Sequence, residues 1–249
     1  MLKGLSFKIE GGHKIGIVGR TGAGKSTISL ALTRIIEMES GKILIDGKSI
    51  GDHSIEQLRQ KITIIPQDPT LFTGTLRFNV DPEKKATDEE ILELLEKSGL
   101  SHLTTRESSS SASKVDLETG SSGSSDLLGL KIQEGGENLS SGEKSLLCIC
   151  RAILRKNKVV ILDEATANID LTTEQKIQTL IKNEFKDCTV LTIAHRLQTI
   201  IESDKILVLD NGQTAEFDEP QTLLKDPESH FTHLVNEMKN SGNTAANKN

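Results

Sequence analysis

The run Gly19-Arg20-Thr21-Gly22-Ala23-Gly24-Lys25-Ser26, continued by Thr27, carries one lysine, one serine and three glycines at a spacing suited to holding phosphate. It fits the pattern G-x-x-x-x-G-K-[ST], and it lies between an apolar strand-like run at 14–18 and a helical pattern, the context that pattern requires. Glycines at 19, 22 and 24 allow positive φ, so that successive backbone N–H groups can turn onto phosphate oxygens. Lys25 is then placed to reach β- and γ-phosphates and Ser26 to hold Mg²⁺, while the helix start adds its partial positive charge. The expected ligand is a nucleoside triphosphate.

A second constellation is Val159-Val160-Ile161-Leu162-Asp163-Glu164. An apolar run ending in two carboxylates predicts a buried parallel strand that delivers acids to a crevice at its C-terminal end. Asp163 suits Mg²⁺ coordination and Glu164 suits polarising an attacking water. Standing alone, the same run would read more readily as an ordinary strand ending in solvated acids; beside a phosphate loop it reads as part of the site.

The elements that must position these groups follow from periodicity. Leu5, Phe7 and Ile9 alternate before Gly11-Gly12, which predicts a hairpin with 14–18 and puts Phe7 in a core strand. Ile28, Ala31, Leu32, Ile35 and Ile36 recur at helical spacing, with Gly41 near the end of the pattern. Strand-like runs follow at 42–46, 62–65, 159–163, 189–193 and 206–209, separated by helical patterns, which favours a mostly parallel sheet with helices on its faces. Between Thr75 and Asn157 helical patterns dominate. The expected fold is therefore α/β, a phosphate-loop core (1–74 and 158–239) with a small antiparallel β part and an inserted helical subdomain (75–157). Residues 107–125 are rich in serine and poor in apolar side chains, too little to offset ordering entropy, and predict a disordered insertion, a spacer or a phosphorylation target. The polar stretch 240–249 predicts a disordered tail.

Composition bounds the partners. The chain has 249 residues with 30 basic and 36 acidic side chains, a formal charge of −6 that, without a basic stripe, argues against nucleic acid. Cys148, Cys150 and Cys188 lack metal-ligand spacing and read as buried thiols. No apolar run approaches the roughly 20 residues that span a bilayer, so a membrane role would come through a partner or another part of the same polypeptide.

A third segment, Leu139-Ser140-Ser141-Gly142-Glu143-Lys144, opens a helical pattern shortly before the Asp163 strand. A serine hydroxyl and exposed N–H groups at a helix start form an anion site, and Ser140 would serve equally as an ordinary N-cap. In this order the motifs resemble the nucleotide-binding domain of ATP-binding cassette (ABC) proteins, whose signature is usually Leu-Ser-Gly-Gly-Gln; Ser140 and Gly142 match it, and Ser141 and Glu143 depart. The resemblance runs from about Leu2 to about Met238. Gln67, in Ile65-Pro66-Gln67-Asp68, corresponds to the family's Q-loop glutamine, which contacts Mg²⁺ or water. Ala167-Asn168-Ile169-Asp170 corresponds to the D-loop, and His195 to the switch histidine at the γ-phosphate. By themselves Gln67 would read as a surface amide and His195 as a structural histidine. Gly16 to Ser26, Leu147-Cys148 with Arg151-Ala152, Leu162 to Ala167 and Thr192 to Leu197 are most similar to the multidrug-resistance-associated (C) subfamily, second nucleotide-binding domain.

The resemblance implies an Mg²⁺-ATPase of a transporter, with Glu164, His195, Gln67 and Lys25 catalytic and Ser26, Gln67 and Asp163 around the metal. ATP would lie on residues 19–27 and Gln67. Ser140 and Gly142 would face ATP on a second nucleotide-binding domain, in a head-to-tail homo- or heterodimer. Transmembrane domains outside this chain would hold it on the cytoplasmic face of a membrane and couple ATP turnover to export. The family usually stacks adenine on an aromatic upstream of the phosphate loop. This chain has six Phe, no Trp and no Tyr, and starts too late to include that residue. The expectation is a piece of a longer transporter, a sequence begun at an internal methionine, or weak ATP binding. The alternatives are a soluble cassette ATPase and a regulatory module that senses nucleotide without turnover.

Overall fold

The computed structural model describes residues 2–103, 127–163, 169–193 and 197–246. The serine-rich insertion call (107–125), Glu164, Ala167, Asn168 and His195 lie outside them. Two compact units arise: Met1–Pro66 with Asn157–Glu164 and Asp187–Asn249, and Gln67–Lys156 with Ala165–Lys186.

The first unit is built on a six-stranded sheet. In chain order its strands are β1 (Lys14–Val18), β4 (Ile62–Ile65), β7 (Val159–Asp163), β8 (Thr189–Ile193), β9 (Lys205–Asp210) and β10 (Gln213–Asp218). A separate hairpin pairs β2 (Leu44–Ile45) with β3 (Lys48–Ser49) through Asp46-Gly47, both at positive φ, as a two-residue turn of this hand demands. Helices α1 (Lys25–Leu32), α2 (Ile55–Lys61), α7 (Leu197–Ile201), α8 (Pro220–Lys225) and α9 (His230–Ala246) complete this unit. The sheet order is β10-β9-β1-β8-β7-β4, parallel except for the edge strand β10.

Period-two alternation splits the core between the two sheet faces. Ile15 and Ile17 of β1, with Leu207 and Leu209 of β9, pack with Ile28 of α1 and Leu58 of α2. Val18, Ile206 and Val208 face the other way and pack with Ile200 of α7 and Phe231 and Val235 of α9. The sheet is thus covered on both sides, which is why its central strands read as near-continuous apolar runs.

Two local expectations are corrected. Residues 5–9 form no hairpin strand with β1, because β1 is paired in parallel on both edges, with β8 and with β9, and has no edge left for a hairpin partner. Phe7 is accordingly 37% exposed, its ring 5.6 Å from that of Phe217, rather than in a core strand. The helical pattern from Ile28 stops at Leu32: Thr33 Oγ1 donates to the Ser29 carbonyl (2.8 Å), Arg34 takes φ 50°, and the Ile35 N–H closes back on Leu30. Helix α9, anchored by Phe231 and Val235, runs to Ala246.

The second unit is mainly helical: α3 (Leu76–Val80), α4 (Asp88–Lys97), α5 (Ser141–Leu154) and α6 (Leu171–Glu184), with a short antiparallel pair of β5 (Gly74–Thr75) and β6 (Lys131–Ile132). Helix α5 runs through its centre, packing on α3, α4 and α6, with Leu147, Ile149 and Cys150 fully buried. Asn79, also fully buried, ties the preceding loop: its Oδ1 accepts from the Phe72 N–H and its Nδ2 donates to the Phe72 and Thr75 carbonyls. All three cysteines are free and buried. Among the described residues, no helix is long and apolar enough to cross a membrane.

Candidate functional site

The loop between β1 and α1 has the backbone its glycines permit. Gly19, Gly22 and Gly24 stand at φ 151°, 84° and 102°. At Gly19 a side chain is excluded twice, by this φ and because its Cβ would lie 2.4 Å from the Leu209 carbonyl oxygen. The loop thus turns tightly against β9 and enters α1 through Gly24 as N-cap, in the left-handed region, with no side-chain cap and no acid in the first turn.

That start differs from five others; α8 also lacks a side-chain cap, but it has proline in its first turn where α1 has N–H groups. Helices α2, α3, α4, α5 and α6 each begin with Ser54, Thr75, Thr87, Ser140 or Asp170 accepting a backbone N–H. At α1 the first-turn N–H groups have no such acceptor, so the positive end of the helix dipole is offered to an external anion. Lys25 is 8% exposed, and its Nζ donates to the Gly19 (2.8 Å) and Arg20 (3.3 Å) carbonyls. Ser26 and Thr21 are exposed on the same loop. Arg20 reaches away from it, to Glu237 Oε1 at 2.9 Å.

The sheet register brings the acid strand to the same edge. Ile17 of β1 is aligned with Ile193 of β8, and Ile193 with Asp163 of β7. Asp163 therefore sits two strand spacings from the end of β1, about 10 Å across the sheet, at the carboxyl edge where ligands of parallel α/β sheets bind. Glu164 directly follows β7 and His195 follows β8 by one residue. A hydroxyl from Ser26 and a carboxylate from Asp163 are hard oxygen donors of the kind that suit Mg²⁺, which keeps waters and binds through few protein oxygens plus substrate phosphates. Gln67 is exposed and opens the second unit.

In that second unit, the start of α5 is closed on itself. Ser140 Oγ accepts the Glu143 N–H (3.3 Å), and Glu143 Oε2 accepts both the Ser140 N–H (2.7 Å) and the Ser140 hydroxyl (2.8 Å). Glu143 is 7% exposed, and its other oxygen lies 2.8 Å from His102 Nε2. Gly142 is buried because α6 approaches closely: a Cβ there would be 2.8 Å from Thr173 Cγ2. Asp170 caps α6, and the Thr173 N–H holds its carboxyl below the usual carboxylate range. The partnership of His102 with Glu143 had no signal in the linear sequence.

A mostly parallel sheet covered on both faces, with a glycine loop feeding an uncapped helix beside an acid-ended strand, defines the phosphate-loop NTPase fold. The profile of the ABC transporter family matches residues 2–167, and the chain belongs to that family. It is 48% identical over 231 residues to ATP-binding cassette sub-family C member 2 of Rattus norvegicus, covering 93% of this chain and 14% of that protein. It is also 48% identical over 237 residues to ABC transporter C family MRP4 of Zea mays, covering 95% of this chain and 15% of that one. A solved bacterial Atm1-family ABC exporter with ATP bound superposes with a TM-score of 0.80 at 33% identity, over 95% of this chain and 38% of the exporter chain. The chain thus spans only a small part of the length of these relatives.

Proposed function

We propose that the chain is the nucleotide-binding and ATP-hydrolysing cassette of a C-subfamily exporter, corresponding to the second such domain of that subfamily. The observation that carries this reading is the uncapped, acid-free start of α1 behind a loop of positive-φ glycines, at the sheet edge that also presents Asp163. Residues 19–27 hold the triphosphate, with N–H groups and Lys25 exchanging loop carbonyls for phosphate oxygens. Ser26, Asp163 and Gln67 hold Mg²⁺, which when bound offsets phosphate charge. Glu164 takes the proton of the attacking water, and His195 orients the γ-phosphate end. Ser140 and Gly142 serve the nucleotide of a second cassette facing this one, so each site is completed by two domains. Closure on ATP and reopening after hydrolysis drive transmembrane domains that carry a substrate out, with the cassette on the cytoplasmic face.

The test is the Mg²⁺-ATPase rate per molecule as a function of protein concentration, with Glu164→Gln as control. The expected result is a rate that rises with concentration and falls by roughly 10²–10⁴-fold in the control, the range for a lost general base. Unchanged turnover in Glu164→Gln would remove that residue from the mechanism.

A further inference from the structure

The start of α5 already carries an anion of its own. Glu143 stands at the third helical position with its carboxylate folded back on the first turn, where it takes the Ser140 N–H and the Ser140 hydroxyl hydrogen. Those are the donors that a phosphate at this helix end would need. The carboxylate is also a negative charge placed where the helix dipole is most favourable to one.

His102 completes the arrangement from elsewhere in the same unit. Its Nδ1 lies 2.9 Å from the Gly99 carbonyl oxygen and its Nε2 lies 2.8 Å from Glu143 Oε1. Both partners are acceptors, and a neutral imidazole has a single N–H. Whichever nitrogen carries it, the ring sits between the Gly99 carbonyl and the Glu143 carboxylate and ties the two segments. Half-exposed His102 lies over nearly buried Glu143 and anchors its second carboxylate oxygen. With a glutamine at 143, a cap on Ser140 would keep its shape without the charge.

We propose that His102 is a positioning residue for the signature helix: it holds Glu143 on Ser140 as a built-in competitor and thereby sets how readily this helix end receives the phosphate of a nucleotide on a facing cassette. The inference rests on the facing-cassette reading above. Glu143→Gln leaves an amide oxygen to accept from Ser140 but removes the competing charge, so nucleotide-driven pairing of two cassettes tightens. His102→Ala takes away the anchor of the second carboxylate oxygen, so the competitor leaves Ser140 more readily and pairing tightens. In a Glu143→Gln background the competing charge is already gone, and His102→Ala has no further effect.

The experiment is a double-mutant cycle on the whole chain carrying Glu164→Gln, with association measured by sedimentation in MgATP and in MgADP. We expect Glu143→Gln to tighten MgATP association roughly fivefold, about the effect of one charge at a helix end, and His102→Ala to tighten it by a smaller factor. The His102 effect should vanish when Glu143 is glutamine. A merely structural His102 would change thermal stability alike in both backgrounds and leave the ATP-to-ADP ratio of association constants unmoved; that outcome overturns the proposal. The His102 ring-nitrogen resonances of the chain without nucleotide are the second readout, and they must shift on Glu143→Gln. Resonances that do not shift overturn the pairing itself. If the resonances shift but no variant associates in MgATP while ATP still binds, the facing-cassette reading fails and the proposal with it.

Discussion

Two helix starts in this protein are built for anions in opposite ways. Helix α1 begins at a glycine with no side chain to offer and no acid in its first turn, so its N–H groups wait for an external ligand. Helix α5 begins with a reciprocal box in which Ser140 and Glu143 satisfy one another, and Glu143 is further held by His102. The first start gives up local stability, about a few tenths of a kcal/mol for glycine in place of a capping side chain, and gains an open site. The second keeps its cap and must trade one anion for another. Affinity at α1 is therefore governed by what the ligand adds, and at α5 by what the ligand has to replace.

Breaking the open start should have the larger effect on nucleotide. Lys25→Ala removes a charge-assisted donor to phosphate, and losing such a bond is worth about 1.5–3 kcal/mol, or roughly 10- to 100-fold in ATP affinity by titration calorimetry. Stability is read beside affinity, since Lys25 Nζ also donates to the Gly19 and Arg20 carbonyls. Equal ATP affinity in the variant would remove Lys25 from the site, and the contrast between the two helix starts would lose its functional meaning.

The two starts also differ in how far sequence revealed them. The α1 loop was legible because all its parts are contiguous and each glycine has a local backbone reason. Strands β4, β7 and β8 were legible as apolar runs because both faces of the sheet are covered. The alternation of Leu5, Phe7 and Ile9 misled, since period two reports half-burial and not the identity of a partner strand. The edge strand β10 escaped because its sequence, Gln213-Thr214-Ala215-Glu216-Phe217-Asp218, is mixed in polarity and its ladder shifts register between Thr214 and Glu216. At α5, serine as a cap could be read locally, but the grip of His102 on Glu143 is a tertiary contact between segments far apart in the chain.

The closed start can be broken sterically. Gly142→Ala would put a Cβ 2.8 Å from Thr173 Cγ2, on a β-branched side chain with little freedom to move. The cost of such overpacking is about 1–3 kcal/mol, read as a lower midpoint in urea unfolding. Thr173→Ser removes the clashing methyl and keeps the backbone N–H that Asp170 caps, so the double variant should recover most of the loss. Additive losses would mean that α6 does not set the spacing at the start of α5.

The smallest effect concerns the body of α5 below that start, and it tests whether the helix is as dry as its closed cap implies. Burial pushes the Cys150 thiol from its ordinary 9.0 up to about 12. A thiol with a raised value in the folded chain ionises first in the unfolded chain. Its contribution is thus intact below about pH 9 and is lost progressively as pH rises from there toward 12. The stability advantage of the chain over Cys150→Ala should be constant from pH 7 to 8 and shrink by about 1 kcal/mol at pH 10, one unit above the ordinary thiol value. Cys148, whose thiol is also raised by burial, is present in both proteins and cancels. An advantage that stays constant to pH 10 would mean that solvent reaches Cys150, and the rigid, self-satisfied α5 that contrasts with the open start of α1 would have to be given up.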